Sequence, residues 1–271
     1  MTTNIHQAIH PTAIIEDGAK IGQNVQIGPY SFIGKNVEIG DGTIIKQNVV
    51  IEGRTTIGQN NVIFQFAAIG AEPQDLKFTG EPSTTIIGDN NKIREFVTIH
   101  SGTKDGAMQT IIGNGCLIMA YCHIAHDCVV KNNVILANNA TLAGHVEVEN
   151  DVVIGGMSAV HQFVKIGTSA MIGGMSGVES DVIPYGTVMG ERANLAGLNL
   201  IGLKRQKDVE RSDISDLRKF YKQLFDGTDG NLQEKTTKLS GEYPNSKLVQ
   251  NVISFLQSKS SRSFCQPKKS N

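Results

Sequence analysis

The chain has 271 residues and a formal net charge of −1. That length suits one large domain or two modest ones, and the near-neutral balance excludes general binding to nucleic acid or to a strongly anionic membrane surface. No apolar run approaches the roughly twenty residues of a membrane span, the opening "MTTNIHQAIHPTA" lacks the basic and apolar segments of a signal peptide, and four cysteines are too few for a disulfide scaffold. The composition describes a soluble cytoplasmic protein with no integral membrane segment.

From the start, the chain repeats. Isoleucine occupies 9, 15, 21, 27, 33, 39, 45, 51, 57, 63 and 69 without exception. Four residues after most of them sits a small or β-branched residue, such as Ala13, Val25, Ser31, Val37, Thr43, Val49, Thr55 or Ala67. A period of six matches neither a helix of 3.6 nor a free strand of two. It matches a β-solenoid with one short strand and one turn per hexapeptide. The Ile and the residue four later point to the axis, and the glycines at 22, 28, 34, 40 and 58 read as turn residues that tolerate positive φ. The segment "GAEPQDLKFTGEPSTTI" breaks the pattern, leaving a loop near 71–86. The repeat resumes at Ile87, Ile93 and Ile99, breaks again near 100–111, and then runs from Ile112 to Val178.

From about 186 the character changes. "ERANLAGLNLIGLKRQ" carries Leu195, Leu198 and Leu203 at helical spacing. "SDISDLRKFYKQLF" predicts a helix capped at Ser212 or Asp213 with Ile214, Leu217, Tyr221 and Leu224 on one face, and "NSKLVQNVISFLQ" predicts another. The polar tail from about 259 reads as disordered. The expected division is a solenoid over 1–185 and a small helical domain over 186–271 that protects the open end of the stack.

Eighteen residues complete one coil, so Ile99, Ile124, Leu142 and Val160 stack in one column. His100, His123, His126, His145 and His161 each lie within three residues of a member of that column. The first break is read as replacing a hexapeptide of the same column, which brings Asp75 and Lys77 nearby. Such a line admits three readings. It is the polar skin of a solenoid corner, or a metal site of converging imidazoles, or an acid–base site in which a carboxylate orients a histidine. "HIAHD" places Asp127 beside His126, and "AGH" offers the Gly144 N–H as an oxyanion donor. Cys116, Cys122 and Cys128 each follow a repeat aliphatic by four, which makes them inward-facing core.

Periodicity and motifs together resemble the hexapeptide-repeat acyltransferases, and "QDLKFTGEP", "IREFVTIHSGT", "HIAHDCVV", "LANNATLAGHV", "IGGMSAVHQF" and "NLIGLKR" are similar to the UDP-N-acetylglucosamine acyltransferase family in particular. The resemblance implies a mainly β fold, a left-handed parallel β-helix followed by a small C-terminal α-helical domain; the ordinary crossover rule would have given the opposite hand. It implies transfer of a 3-hydroxyacyl chain from the phosphopantetheine of acyl carrier protein to the glucosamine 3-position, the first step of lipid A biosynthesis, by a homotrimer with no metal or other cofactor. By the same resemblance His126 is the general base, Asp127 its support and Gly144 the oxyanion donor. Gln74, Asp75, Lys77, His100, His123, His145, His161 and Gln162 line the substrate cleft, Asn199 and Arg205 bind the nucleotide, and Gly174 with Arg192 measures the acyl chain. The chain departs from the family pattern at Ile201, Gln206 and Arg192, near the nucleotide and the end of the acyl tunnel.

Overall fold

The computed structural model describes residues 8–226 and 231–268. Its main body is the expected left-handed parallel β-helix. Most strands are two residues long, and strands eighteen residues apart pair in parallel, as Ile14 with Phe32 and Ile15 with Ile33. They form a three-sided prism. The first face stacks the column Ile15, Ile33, Ile51, Ile69, Ile99, Ile124, Leu142, Val160 and Val178 in nine strands. The second face has eight strands and the third has ten.

The inward residues explain the period. Most repeat isoleucines, and Ser31, Val37, Thr43, Val49 and Thr55 four residues on, are at most 3% exposed. Each fully buried Ile is worth about 1.5–3 kcal/mol relative to exposure, and the stack repeats that gain coil after coil. Asn61 and Asn91 also point inward. The Asn91 N–H donates to Asn61 Oδ1 at 2.8 Å, the Cys116 N–H donates to Asn91 Oδ1 at 2.7 Å, and both amide groups donate to backbone carbonyls, so this buried column is polar and satisfied.

Glycine plays a different part from the one expected. The residue at positive φ lies three after most repeat aliphatics and is usually not glycine: Asn24, Tyr30, Asn48, Phe66, Tyr121 and Asp127 are examples. The glycine directly after the aliphatic is required by close approach instead. A Cβ on Gly28 would lie 2.7 Å from the Gln47 nitrogen of the next coil, and one on Gly40 would lie 2.6 Å from the Gly58 carbonyl carbon.

The C-terminal region corrects several expectations. Gly186–Met189 still extends the third face in parallel, and Asn194–Leu198 folds back antiparallel on it, so Leu195 and Leu198 belong to a strand. Only Leu200–Arg205 is helical there (α1). Helix α2, Arg211–Phe225, begins after Glu210, with Ser212 and Asp213 inside its first turn, and it buries Phe220 more fully than Tyr221. A further helix α3, Leu232–Leu239, starts at a capping box formed by Asn231 and Glu234, a signal readable as N-x-x-E. Helix α4, Lys247–Gln257, buries Val249, Val252, Ile253 and Leu256, and its Asn251 donates to the Tyr185 hydroxyl at 2.7 Å. The tail does not fray over 259–268. Phe264 bridges Asp181, Cys265 is 4% exposed, and the Leu195 N–H donates to the Gln266 carbonyl at 3.0 Å. Residues 269–271 of the expected tail lie outside the described residues.

Candidate functional site at one corner of the prism

Both breaks in the repeat fall at the corner between the first and second faces. The chain passes from Ile69 to Ile87 and from Ile99 to Ile112 across it. The first break therefore follows a member of the column and replaces none, because Ile69 itself pairs with Ile51 and Ile99. The two loops, residues 72–83 and 101–108, meet over the same edge. Glu81 accepts from the Thr79 N–H at 2.9 Å in its own loop and from the Lys104 N–H at 3.1 Å in the other. The Thr79 N–H leads the hydrogen bonds that hold its carboxyl down to about 2. Lys77 donates to Asp105 at 3.1 Å, and that bond raises the Lys77 pKa.

At the corner itself, successive coils place equivalent residues above one another. His126, Gly144 and Gln162 are each two after a first-face aliphatic; Asp127, His145 and Phe163 are each three after it and occupy positive φ of 59°, 62° and 66°. His126 Nδ1 lies 2.9 Å from Asp127 Oδ2. Asp127 is 5% exposed and also accepts from the Thr103 N–H at 3.1 Å and the Thr103 hydroxyl at 2.7 Å. Burial alone would push this carboxyl up; the bonds from His126 and Thr103 outweigh it and hold the pKa below the ordinary value. An ionised Asp127 accepts only, so His126 Nδ1 carries the proton and Nε2 is left as a base.

Gly144 is what lets His126 lie over the next coil. A Cβ there would stand 2.5 Å from His126 Cε1 and 2.7 Å from Nε2. The His145 N–H donates to the His126 carbonyl at 3.0 Å, fixing the stack, while among the described residues no acceptor takes the Gly144 N–H.

The other histidines form the walls. The His145 ring meets His126 edge-on at 5.0 Å and stacks on Phe163 at 4.4 Å. His123 Nδ1 is 2.7 Å from the Thr98 hydroxyl, and His100 meets His123 edge-on at 4.8 Å. Burial lowers the pKa of His145, although Asp127 pulls the other way, and burial with the neighbouring His126 lowers that of His123. His100 is 5% exposed, and burial first, then His123 and His126, brings it to about 4. A cavity of about 620 Å³ opens beside Asp127, His145 and Phe163 and is bounded by Lys165 and Lys259. His126, Asp127 and His145 also bring three donor atoms within 4.8 Å of one another, the spacing of a metal cluster. The Asp127 oxygens, however, are already occupied by His126 and Thr103.

On the first loop over this corner Gln74 is exposed, and Asp75 accepts from the Lys77 N–H at 3.0 Å, its charge favouring the protonated form of His145 against burial. Not every expected site residue joins this corner. Asn199 caps α1 by accepting from the Gly202 N–H at 3.0 Å and donates to the Ser169 carbonyl, and Gln206 donates to the Ser169 hydroxyl at 2.8 Å. Ser169 belongs to the corner between the second and third faces, so α1, with Arg205 exposed in its last turn and Ile201 69% exposed, lies at a different edge from His126. Gly174 lies at the remaining corner, between the third and first faces, and Arg192 pairs with Glu179. Cys116, Cys122 and Cys128 are core, with thiols donating to backbone carbonyls of the next coil and burial pushing Cys122 up to about 11. Sequence reasoning missed Thr103, Asp105 and Glu81. Thr103 stands inside the quoted "HSGT" motif, but nothing local says that it supports an aspartate in the next coil.

Two family profiles match the chain. One, described as bacterial transferase hexapeptide (six repeats), matches residues 18–53 and 109–144. The other, described as UDP N-acetylglucosamine O-acyltransferase, domain 2, matches residues 181–265. The acyl-[acyl-carrier-protein]–UDP-N-acetylglucosamine O-acyltransferase of Bartonella henselae is 47% identical over 96% of this chain and 94% of its own. The protein of that name from Thermodesulfovibrio yellowstonii is 49% identical over 95% of this chain and 98% of its own. A crystal structure of a UDP-N-acetylglucosamine acyltransferase superposes with a TM-score of 0.93 at 42% identity, covering 97% of this chain and all of that one.

Proposed function

The chain belongs to the UDP-N-acetylglucosamine O-acyltransferase family, and from that premise we propose how its first corner performs the reaction. The enzyme transfers an acyl group from acyl carrier protein to UDP-N-acetylglucosamine, the first step of lipid A biosynthesis. The acyl group is a 3-hydroxyacyl chain, and the acceptor is the glucosamine 3-hydroxyl or the amine of a 3-amino analogue. The observation that carries the reading is the His126–Asp127 pair with the imidazole lying against Gly144, whose N–H has no acceptor among the described residues.

His126 Nε2 removes the proton of the attacking group as its oxygen or nitrogen bonds to the thioester carbon. The Gly144 N–H stabilises the oxyanion of the tetrahedral intermediate. The intermediate collapses by breaking the C–S bond, and the imidazolium returns its proton to the departing thiolate of the phosphopantetheine arm. Asp127, held by Thr103, keeps Nδ1 protonated and offsets the imidazolium charge. Gln74, Asp75, Lys77, His100, His123, His145, His161 and Gln162 shape the cleft around sugar and acyl group, on the two loops and four coils just described. No metal takes part, a reading supported by the prior engagement of both Asp127 oxygens.

Asn199 and Arg205 contact the nucleotide, Arg205 through bidentate phosphate contact. Their place at another edge of the prism from His126 supports a homotrimer in which one subunit supplies the histidine corner and its neighbour supplies α1. Gly174, with Arg192 nearby, sets the acyl length in the same arrangement. Among the described residues no helix is long and apolar enough to cross a membrane, and we place the reaction in the cytoplasm, where acyl carrier protein is charged. The test is an acyl-transfer assay with UDP-N-acetylglucosamine and its 3-amino analogue against a series of 3-hydroxyacyl carrier proteins, run with and without chelator. Transfer unaffected by chelator is the expected result. No transfer to either acceptor would sink the reading, and activity lost to chelator and restored by zinc would favour the metal alternative.

A further inference from the structure

The C-terminal arm, which the sequence presents as a polar tail, crosses the upper end of the histidine corner and is tied down on both sides. Before Arg262, the Lys259 carbonyl accepts from Lys165 Nζ at 3.2 Å. After it, the Asp181 N–H donates to the Ser263 carbonyl at 2.7 Å, the Cys265 N–H donates to the Asp181 carbonyl at 2.8 Å, and the Ser180 and Ser263 hydroxyls lie 3.0 Å apart. Between these anchors the Arg262 guanidinium reaches back about a hundred residues in sequence. Its Nε donates to the Gln162 carbonyl at 3.0 Å, and its Nη2 lies 2.7 Å from His161 Nδ1.

We propose that Arg262 is a positioning residue for the acyl-transfer site, acting through His161 and Gln162. This rests on the proposed function. A guanidinium carries only donors and is not deprotonated in proteins. His161 Nδ1, 2.7 Å from it, must therefore accept, which leaves the imidazole proton on Nε2. The nearby Gln162 carbonyl, 3.2 Å from the same Nδ1, is then held by Arg262 Nε and not by the imidazole. Arg262 thus selects the tautomer in which His161 directs an N–H donor away from the arm. Its second contact secures the turn at 161–163, whose Phe163 N–H donates to the Gly144 carbonyl at 3.1 Å. The two acceptors are met by two different nitrogens of one planar group, Nε and Nη2, a fork that the single nitrogen of a lysine does not reproduce.

The test is a double-mutant cycle in the acyl-transfer assay, with a nitrogen-15 readout of the histidine tautomer in the intact chain. Arg262→Ala is expected to lower kcat/KM roughly tenfold, the size of a typical coupling between contacting residues, with Arg262→Lys close to it and the thermal midpoints of both near the parent's. In a His161→Ala background the same Arg262→Ala change is expected to cost much less. Equal losses in both backgrounds would make the arm merely structural and overturn the proposal, as would an unchanged kcat/KM. In labelled parent protein His161 is expected as the Nε2–H form, with Nδ1–H appearing in Arg262→Ala; a parent already carrying Nδ1–H overturns the proposal. Should the parent transfer no acyl group at all, the acyl-transfer reading fails, and the tautomer readout still decides whether Arg262 holds His161.

Discussion

Two corners of the prism share one backbone and differ in everything hung on it. At the corner between the first and second faces, the non-glycine positive-φ positions three after a repeat aliphatic hold Asp127, His145 and Phe163; at the corner between the third and first faces, they hold Tyr30, Asn48, Phe66, Phe96, Tyr121, Asn139, Met157 and Met175. On the second of these corners the rings of Phe66, Phe96 and Tyr121 stack face to face at 4.9 and 4.8 Å. The first also accepts both insertions, and their loops are stitched to each other and to Asp127. The solenoid core neither makes nor prevents a site. The turn offers every coil the same outward positions, and chemistry appears where loops bury those positions and supply partners for a charge.

The largest test of this contrast is His126→Ala. It is expected to leave the fold and thermal midpoint near the parent's and to lower kcat by about 10²–10⁴, the usual contribution of a general base. Near-normal turnover in steady-state assays would move the base elsewhere on the corner.

Gly144 and Gly174 occupy equivalent turn positions, each two residues after a repeat aliphatic, at the two corners. A Cβ at 144 meets the His126 ring at 2.5 Å, whereas one at 174 comes no closer than 3.3 Å to any atom, the Gly156 carbonyl oxygen. Gly144→Ala is therefore expected to displace His126 and cost on the order of 10² in kcat/KM. Gly174→Ala is expected to be well tolerated, while Gly174→Met should move the acyl-length optimum toward shorter chains when kcat/KM is measured across carrier-protein substrates. Equal losses from the two alanine variants would refute the geometric distinction, and an unmoved optimum would remove Gly174 as the ruler.

Burial also gives the histidine corner a pH signature that the aromatic corner lacks. His100 titrates near 4 in the folded protein, below the ordinary 6.5 of an exposed histidine. Above pH 6.5 both states are neutral there and stability is full. Between 6.5 and about 4 the unfolded chain takes a proton that the folded one refuses, so stability falls as pH falls, by at most roughly 3 kcal/mol from this group. The lowered His123 and His145 act in the same direction. Urea midpoints measured across that window should fall less steeply for His100→Gln than for the parent; parallel slopes would mean that His100 takes up its proton normally.

The smallest effect is expected at the aromatic corner. Tyr121→Ala removes one ring contact with Phe96, worth about 0.5–1.5 kcal/mol, without touching the His126–Asp127 pair. A calorimetric midpoint and a kcat measurement check it together. A loss of turnover comparable to that of His126→Ala would erase the division of labour between the corners.

Spacing along the chain set the solenoid, its inward pattern of an aliphatic followed four residues later by a small or β-branched residue, and the alignment of His100, His123, His126, His145 and His161 along one edge. These follow from spacing alone, because a strict period of six turns position in the chain into position in space. Tertiary structure decided what has no period. It put both breaks at one corner, gave Asp127 its Thr103 partner and placed α1 at another edge. It made a strand of Asn194–Leu198, since Asn194–Leu198 pairs with the exposed edge left by Gly186–Met189, and helical spacing of three leucines does not outweigh that pairing. It brought Arg262 to His161 across a hundred residues, through an arm docked by backbone hydrogen bonds to Asp181. Backbone hydrogen bonds are indifferent to side-chain type, so a bridge added by a polar tail leaves little trace in its own residues.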